Sequence, residues 1–247
     1  MEQYSLERTV PFPECDLKNL WKLSGILRQM QEIGALHLEA LQMGFQKLWD
    51  EGYVFLLSKI LLRIERRPVG GEELRVVTWP RPPKGAQFLR DISFYSRDGR
   101  EILRAQTAWM LADPHSHRIC RPSEYPYQIP YADMPYTDEA ARMKCRAPEA
   151  LRPVGEREVR YSDLDTNGHV NNAVYGDILC DFLPFEEISS RELAVFKIHY
   201  AREARWGDRI RLFLGENGSE GRYLLGESGG EKCFEAEVEY RPESAKE

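Results

Sequence analysis

The chain repeats itself at shrinking offsets, and that repetition limits the folds open to it. Glu7-Arg8-Thr9-Val10 leads to Phe12, Asp16 and a long apolar-periodic segment; 149 positions on, Glu156-Arg157-Glu158-Val159 leads to Tyr161, Asp165 and a second one. Leu62, Ile64, Gly71 and Leu74 align with Ile198, Tyr200, Gly207 and Ile210 at an offset of 136, with hydrophobic alternation on both sides of the glycine. Ala105 and Trp109 align with Ala236 and Tyr240 at an offset of 131. Matches in one order with a falling offset describe two copies of one supersecondary unit, the second shorter.

Each copy opens with a strand, passes through a helix and ends in several strands of period-two alternation, an α+β order rather than alternating βαβ. In the first helix Ile26, Met30, Ile33, His37 and Leu41 recur at helical spacing, which makes His37 a helix-face residue near the core. The second helix is expected over 171–182, with Val174, Ile178, Leu179 and Phe182 on its apolar face. Strands are expected over 54–65, 72–80, 86–96 and 101–113, then 193–203, 208–214, 221–227 and 232–240. Asp98-Gly99 and Gly229-Gly230 fit hairpin turns. The copies occupy 1–130 and 154–247, joined by a connector over 131–153. Pro122, Pro126, Pro130, Pro135, Pro148 and Pro153, with interspersed tyrosines, suit an ordered connector lying on the surface.

With 247 residues, 42% of them hydrophobic, the chain can form one large core or two small ones. No run of about eighteen apolar residues occurs, and the N-terminus lacks a basic start and apolar stretch, so a cytoplasmic protein away from membranes is expected. Five widely separated cysteines form neither a disulfide framework nor a zinc pattern, and no Gly-rich phosphate loop is present. No metal or cofactor is expected. A net charge of −6 argues against general nucleic-acid binding.

Residues 161 to 175 read Tyr-Ser-Asp-Leu-Asp-Thr-Asn-Gly-His-Val-Asn-Asn-Ala-Val-Tyr. Asp165, Asn167 and His169 alternate just before the second helix, so an extended or tightly looped segment can converge them on one spot. The helix start offers unpaired backbone N–H groups to developing negative charge. Such a site suits acyl transfer or hydrolysis. The same residues also read as turn and N-cap positions beside an incidental loop histidine, and on the residues alone both readings stand.

This stretch closely resembles the signature of the fatty acyl-acyl carrier protein (acyl-ACP) thioesterases known from plants and bacteria. The likeness extends to Leu-Arg-Gln-Met-Gln-Glu-Ile-Gly-Ala-Leu-His at 27–37, to Arg90-Asp91, to Ala-Trp-Met-Leu-Ala-Asp at 108–113, and to His-Tyr-Ala-Arg-Glu-Ala at 199–204. It implies a tandem double hotdog, each half a helix wrapped by an antiparallel sheet. The N-terminal half would bind the acyl chain and the C-terminal half would carry catalysis. The family's catalytic group falls here on Asp165, Asn167, His169 and, on a later strand, Glu203. Plant members often place a cysteine directly after that glutamate; Ala204 rules out a thiol there. Cys180, the cysteine nearest the motif, reads as a buried apolar side chain of the second helix. At the 149 offset the first copy has Asp16, Lys18 and Leu20, so only the second holds the full set.

The resemblance implies hydrolysis of an acyl-ACP thioester to free fatty acid and carrier, terminating chain elongation, with acyl carrier protein as partner. Alternatives are an acyl-CoA thioesterase, a hydratase or a non-catalytic acyl-binding protein. Glu203 would activate water or attack directly, while His169 would polarise the carbonyl or shuttle the proton. Asp165 would orient its neighbours. Asn167, with a backbone N–H near Val170 or Asn171, would fix the water or the oxyanion. Met30, Ile33, Leu41, Trp79 and Trp109 are candidates to line the acyl channel. An acidic carrier would need a local basic face, for which Arg63, Arg66, Arg67, Lys197, Arg202, Arg205, Arg209 and Arg211 are candidates. Duplication supplies within one chain the pairing that single hotdogs reach by dimerising, and a homodimer of the tandem chain stays open.

Overall fold

The repeat becomes a palindrome of strands. The computed structural model describes residues 1–116, 118–134 and 139–242, so Pro135 of the connector lies outside the described residues. The strands are β1 (Tyr4–Thr9), β2 (Val54–Ile64), β3 (Glu73–Lys84), β4 (Gln87–Ser96), β5 (Glu101–Ala112), β6 (Ile119–Cys120), β7 (Arg152–Glu158), β8 (Leu193–Tyr200), β9 (Arg209–Asn217), β10 (Gly221–Ser228) and β11 (Glu231–Tyr240). The helices are α1 (Leu23–Ala40), α2 (Phe45–Asp50), α3 (Glu139–Arg142), α4 (Val174–Phe182) and α5 (Phe185–Ser190). One antiparallel sheet runs β1-β3-β4-β5-β2-β8-β11-β10-β9-β7, with β6 paired to β5. Read outward from the β2–β8 seam, the two halves have the same order.

At that seam Ile60 pairs with Ile198, Leu61 with Lys197 and Leu62 with Phe196. Leu61 and Lys197 are separated by the repeat offset of 136, so each is its partner's own counterpart and a local twofold passes between them. The turns before β3 and β9 match as well, with Gly71 at φ +80° and Gly207 at φ +83°, a left-handed conformation that side chains disfavour.

Strand alternation assigns each residue a face. Ile60, Leu62, Phe196 and Ile198 point into the main core with α1 and α4, whereas Leu61 joins Val195, Ala140 and Met143 on the opposite face. The connector's α3 thus lies across the outside of the seam. Helix α1 buries Leu23, Ile26, Leu27, Met30, Ile33 and His37 and exposes Arg28 and Glu32, the one-sided stripe expected of an amphipathic helix. Each fully buried aliphatic side chain contributes roughly 1.5–3 kcal/mol. Gly176 of α4 lets the helices meet: a Cβ there would sit 3.1 Å from Leu27 and 3.2 Å from the Ser24 backbone.

Several boundaries depart from the sequence expectation, with β3 running to Lys84 rather than 80 and β9 to Asn217 rather than 214. Helix α4 begins at Val174 rather than 171, because Asn171 takes the turn before it, its side chain accepting from the Ala173 N–H at 2.9 Å. Strand β7 begins at Arg152, within the expected connector. Strand β8 stops at Tyr200 rather than 203, because the Ala201 and Arg202 N–H groups both donate to the Cys233 carbonyl and the chain peels off the ladder. Glu203 therefore stands just beyond a strand, not on one.

Candidate active site

The loop that carries Asn167 and His169 is built around one aspartate. Asp165 Oδ1 accepts from the Asn167 N–H at 2.8 Å and, more weakly, the His169 N–H at 3.4 Å, while the Asp165 N–H donates to the His169 carbonyl at 2.8 Å. Gly168 completes the turn at φ +76°. The first copy has the same loop: Asp16 Oδ1 accepts from the Lys18 and Leu20 N–H groups at 2.8 and 3.1 Å, and Asn19 turns the chain at φ +58°. The aspartate shared by both copies is thus the loop's scaffold.

Beyond the loop, the Val170 N–H donates to the Ala204 carbonyl at 2.9 Å and His169 bridges to Arg205. This stitches the peeled end of β8 alongside the loop and sets His169 Nε2 3.1 Å from Glu203 Oε2. The imidazole is mostly buried and the carboxylate is half-exposed. The Val170 and Asn171 N–H groups expected to face an oxyanion are already spent, on Ala204 and on the Asp163 carbonyl at 2.8 Å. The Asn167 side chain is exposed and makes no hydrogen bond among the described residues, leaving its amide free for a ligand.

Asn167, His169 and Glu203 open onto one cleft of about 460 Å³. Asp165, its carboxylate turned to the backbone, does not line it. The other wall comes from the first copy: Phe45, Gln46 and Trp49 of α2, Val54 and Leu56 of β2, Ala112 at the end of β5, and Asp113 and Pro114 just after it. Sequence reasoning missed these residues as part of a site. The 108–113 segment already carried the family resemblance, but nothing in its spacing says that it faces the other copy.

Phe45 and Val54 also line an adjoining apolar pocket of about 210 Å³ between α1, α2 and strands β2 to β5. Of the five candidate channel residues, Leu41 and Trp109 line it. Met30 and Ile33 lie on the core stripe of α1 instead, within the main cluster, and Trp79 is fully buried in β3. Helical periodicity identified a buried face without distinguishing core from cavity.

Most of the candidate basic residues are already paired. Arg63 pairs with Glu139, Arg66 with Glu72, Arg67 with Asp16, Arg202 with Glu231 and Arg211 with Glu227, and Lys197 pairs with both Glu237 and Glu239. Arg205 and Arg209 make no ion pair among the described residues. Cys180 is partly exposed on α4, its thiol pushed up to about 12 by burial, as suits a packing side chain. Among the described residues no group of three or more His, Cys, Asp and Glu is placed to hold a metal ion. No described helix is long and apolar enough to cross a membrane.

Two family models match the chain: the acyl-ACP thioesterase N-terminal domain over residues 2–127 and the acyl-ACP thioesterase C-terminal domain over 152–242. Among curated proteins it is 24% identical over 242 residues to the chloroplastic acyl-[acyl-carrier-protein] hydrolase FATB1 of Cuphea viscosissima, covering 89% of this chain and 57% of that protein. The chain spans little more than half the length of such relatives. Among solved structures, an acyl-ACP thioesterase from Bacteroides thetaiotaomicron superposes with a TM-score of 0.86 at 19% identity, over 97% of this chain and 98% of that one. The 12:0-ACP thioesterase from Umbellularia californica superposes at 0.80 with 18% identity, over 98% of each chain. These likenesses show the fold, an α+β double hotdog. Together with the two family models, which between them take in both copies of the repeat, they make this chain a member of the acyl-ACP thioesterase family.

Proposed function

We propose that the protein hydrolyses fatty acyl thioesters of acyl carrier protein, releasing the free acid and ending chain elongation. The observation that carries this reading is the His169–Glu203 pair in a cleft that shares Phe45 and Val54 with an adjoining apolar pocket. The N-terminal half, 1–130, holds the acyl chain and the C-terminal half, 154–247, performs the chemistry, with 131–153 as linker. Leu41 and Trp109 contact the chain.

Water attacks the acyl carbon while Glu203 takes its proton. Glu203 Oε2 lies 3.1 Å from His169 Nε2, and Oε1 has no protein partner among the described residues. The Asn167 amide donates to the carbonyl oxygen as it becomes an oxyanion, the part that the spent backbone N–H groups cannot play. As the tetrahedral intermediate collapses, His169 gives a proton to the departing sulfur and recovers the one held by Glu203. Asp165 is a positioning residue that fixes the loop.

The seam supplies the pairing of two hotdogs within one chain, so this chemistry does not require a homodimer. Five free cysteines suit a cytoplasmic setting. The test is thiol release from one acyl chain presented on acyl carrier protein and on coenzyme A. Hydrolysis with a higher kcat/KM on the protein carrier is expected. Equal or better turnover of the coenzyme A thioester would reassign the carrier, and stoichiometric binding without thiol release would sink the enzyme reading.

A further inference from the structure

The turn beside His169 is built twice, with one backbone and two sets of side chains. In the second copy the Asp208 N–H donates to the Arg205 carbonyl at 3.0 Å, the Arg205 N–H donates to Asp208 Oδ2 at 2.9 Å, and Arg205 bridges to His169. In the first copy, 136 positions earlier, the Glu72 N–H donates to the Val69 carbonyl at 3.1 Å, the Val69 N–H donates to Glu72 Oε2 at 3.1 Å, and Val69 bridges to Leu20. On that shared frame the second copy sets Arg205, Trp206 and Arg209 where the first has Val69, Gly70 and Glu73.

The exchange opens a surface. In the first copy Phe12 lies over the turn, so that a Cβ on Gly71 would meet its ring at 3.0 Å. The second turn has no such cover: beyond the adjoining residues, a Cβ on Gly207 would meet nothing within 4 Å. Tyr161, the counterpart of Phe12, is 86% exposed, and Trp206 at the tip of the turn is 72% exposed. The acids around the two arginines are engaged elsewhere. Asp208 accepts from the Arg205 backbone, Glu203 faces His169, and Glu158, opposite Arg209 in the ladder of β7 and β9, pairs with Arg160 at 2.9 Å. Arg205 and Arg209 thus keep their charge unpaired among the described residues, next to two solvated rings.

Position ties this patch to the cleft. Residues opposite one another in an antiparallel bridge share a face, and Ala204 is buried between two exposed neighbours, so Glu203, Arg205 and His169 look out on one side. The ends of a β-turn lie within about 7 Å of each other, so Asp208 and then Arg209 follow closely on Arg205. An acyl chain delivered on a flexible arm reaches His169 only from a carrier seated within that arm's length. An acidic carrier finds here unpaired positive charge around apolar anchors. A twofold dimer through the same patch would bring like charges together.

We infer that the 205–209 turn, with Tyr161 beside it, is the docking face for acyl carrier protein: Arg205 and Arg209 meet its acidic surface, and Trp206 makes the apolar contact. This rests on the thioesterase reading and locates where the protein substrate of that reaction lands.

Fluorescence anisotropy of labelled holo-acyl carrier protein, titrated with the full chain, tests it. Arg209→Glu should weaken binding roughly tenfold and flatten its dependence on salt, and Trp206→Ala should weaken it by a similar factor. Arg209→Lys should keep most of the affinity. Both side chains are exposed, so the melting temperatures should hold. Unchanged affinity in Arg209→Glu and Trp206→Ala overturns the inference, as does a dimer that Trp206→Ala splits, which would give the face to a second copy. Thiol release from acylated carrier keeps the two readings apart. Release by the wild type, with binding unchanged in both variants, rejects the docking face alone. Weakened binding in both variants, with no release by the wild type, rejects the thioesterase reading alone.

Discussion

Arg67 stands in the first repeat where Glu203 stands in the second, 136 positions apart, each just past the point where its strand peels away. In both copies two successive N–H groups share one carbonyl there: Glu65 and Arg66 on Ile102, Ala201 and Arg202 on Cys233. Arg67 Nη1 closes the first loop by pairing with Asp16 Oδ2 at 2.8 Å, while Glu203 faces an imidazole. The same backbone yields a structural clasp in one half and the proposed catalytic pair in the other.

That clasp predicts a stability defect without a catalytic one. Arg67 is nearly buried, so Arg67→Ala strands the Asp16 carboxylate and should cost roughly 2–3 kcal/mol in urea unfolding. Thiol release per folded molecule should stay at the wild-type value; a fall in kcat with unchanged stability would contradict the assignment.

The reactive pair predicts the opposite. Glu203→Gln and His169→Ala should each lower kcat by roughly 10²–10⁴-fold, the usual worth of a positioned acid or base. Glu203 is half-exposed, so the melting temperature of Glu203→Gln should barely move. Near-normal turnover by that folded variant would remove Glu203 from the mechanism.

Asp165 should behave as a positioner. Asp165→Ala deletes the acceptor for the Asn167 and His169 N–H groups and should reduce kcat by about 10- to 100-fold through misplacement, with little effect on KM. Asp165→Asn keeps an acceptor oxygen and should restore most of the rate. Equal losses in both variants would indicate that the charge itself takes part.

His37 ties stability to pH. Burial, reinforced by the Arg90 charge, lowers its pKa from 6.5 to about 4. The folded state therefore favours the neutral ring. Its contribution is complete above pH 6.5 and is lost as pH falls from there to about 4, about 3 kcal/mol in all. The stability difference between wild type and His37→Gln, followed by denaturant unfolding across that window, should shrink with acid. A constant difference would show that His37 titrates normally.

The repeat offsets found the strands because a β ladder records itself as period-two alternation, so Leu62 with Ile198 and Ala105 with Ala236 fell on equivalent strands. They did not show that β2 and β8 join into a single sheet, since pairing between distant strands leaves no local trace. The motif placed Asn167 and His169 on one loop for a similar reason: the Asp165 turn is local. Glu203 came only through resemblance, and its departure from the strand depends on Cys233, 30 positions further on. Periodicity reports burial, and a cavity wall and a core look alike at that level, which is why Met30 and Ile33 read as channel candidates in the sequence but lie in the core.

The cleft takes one wall from residues 45–56 and 112–114 and the other from 166–203, so it is the property of neither copy. The two repeats are consequently no longer interchangeable parts. A change in α2 alters the room around His169 as directly as a change in its own loop, and the copies can be inherited usefully only together. Joining them in one chain keeps a specialised wall beside its specialised counterpart, a match that two identical subunits could not make.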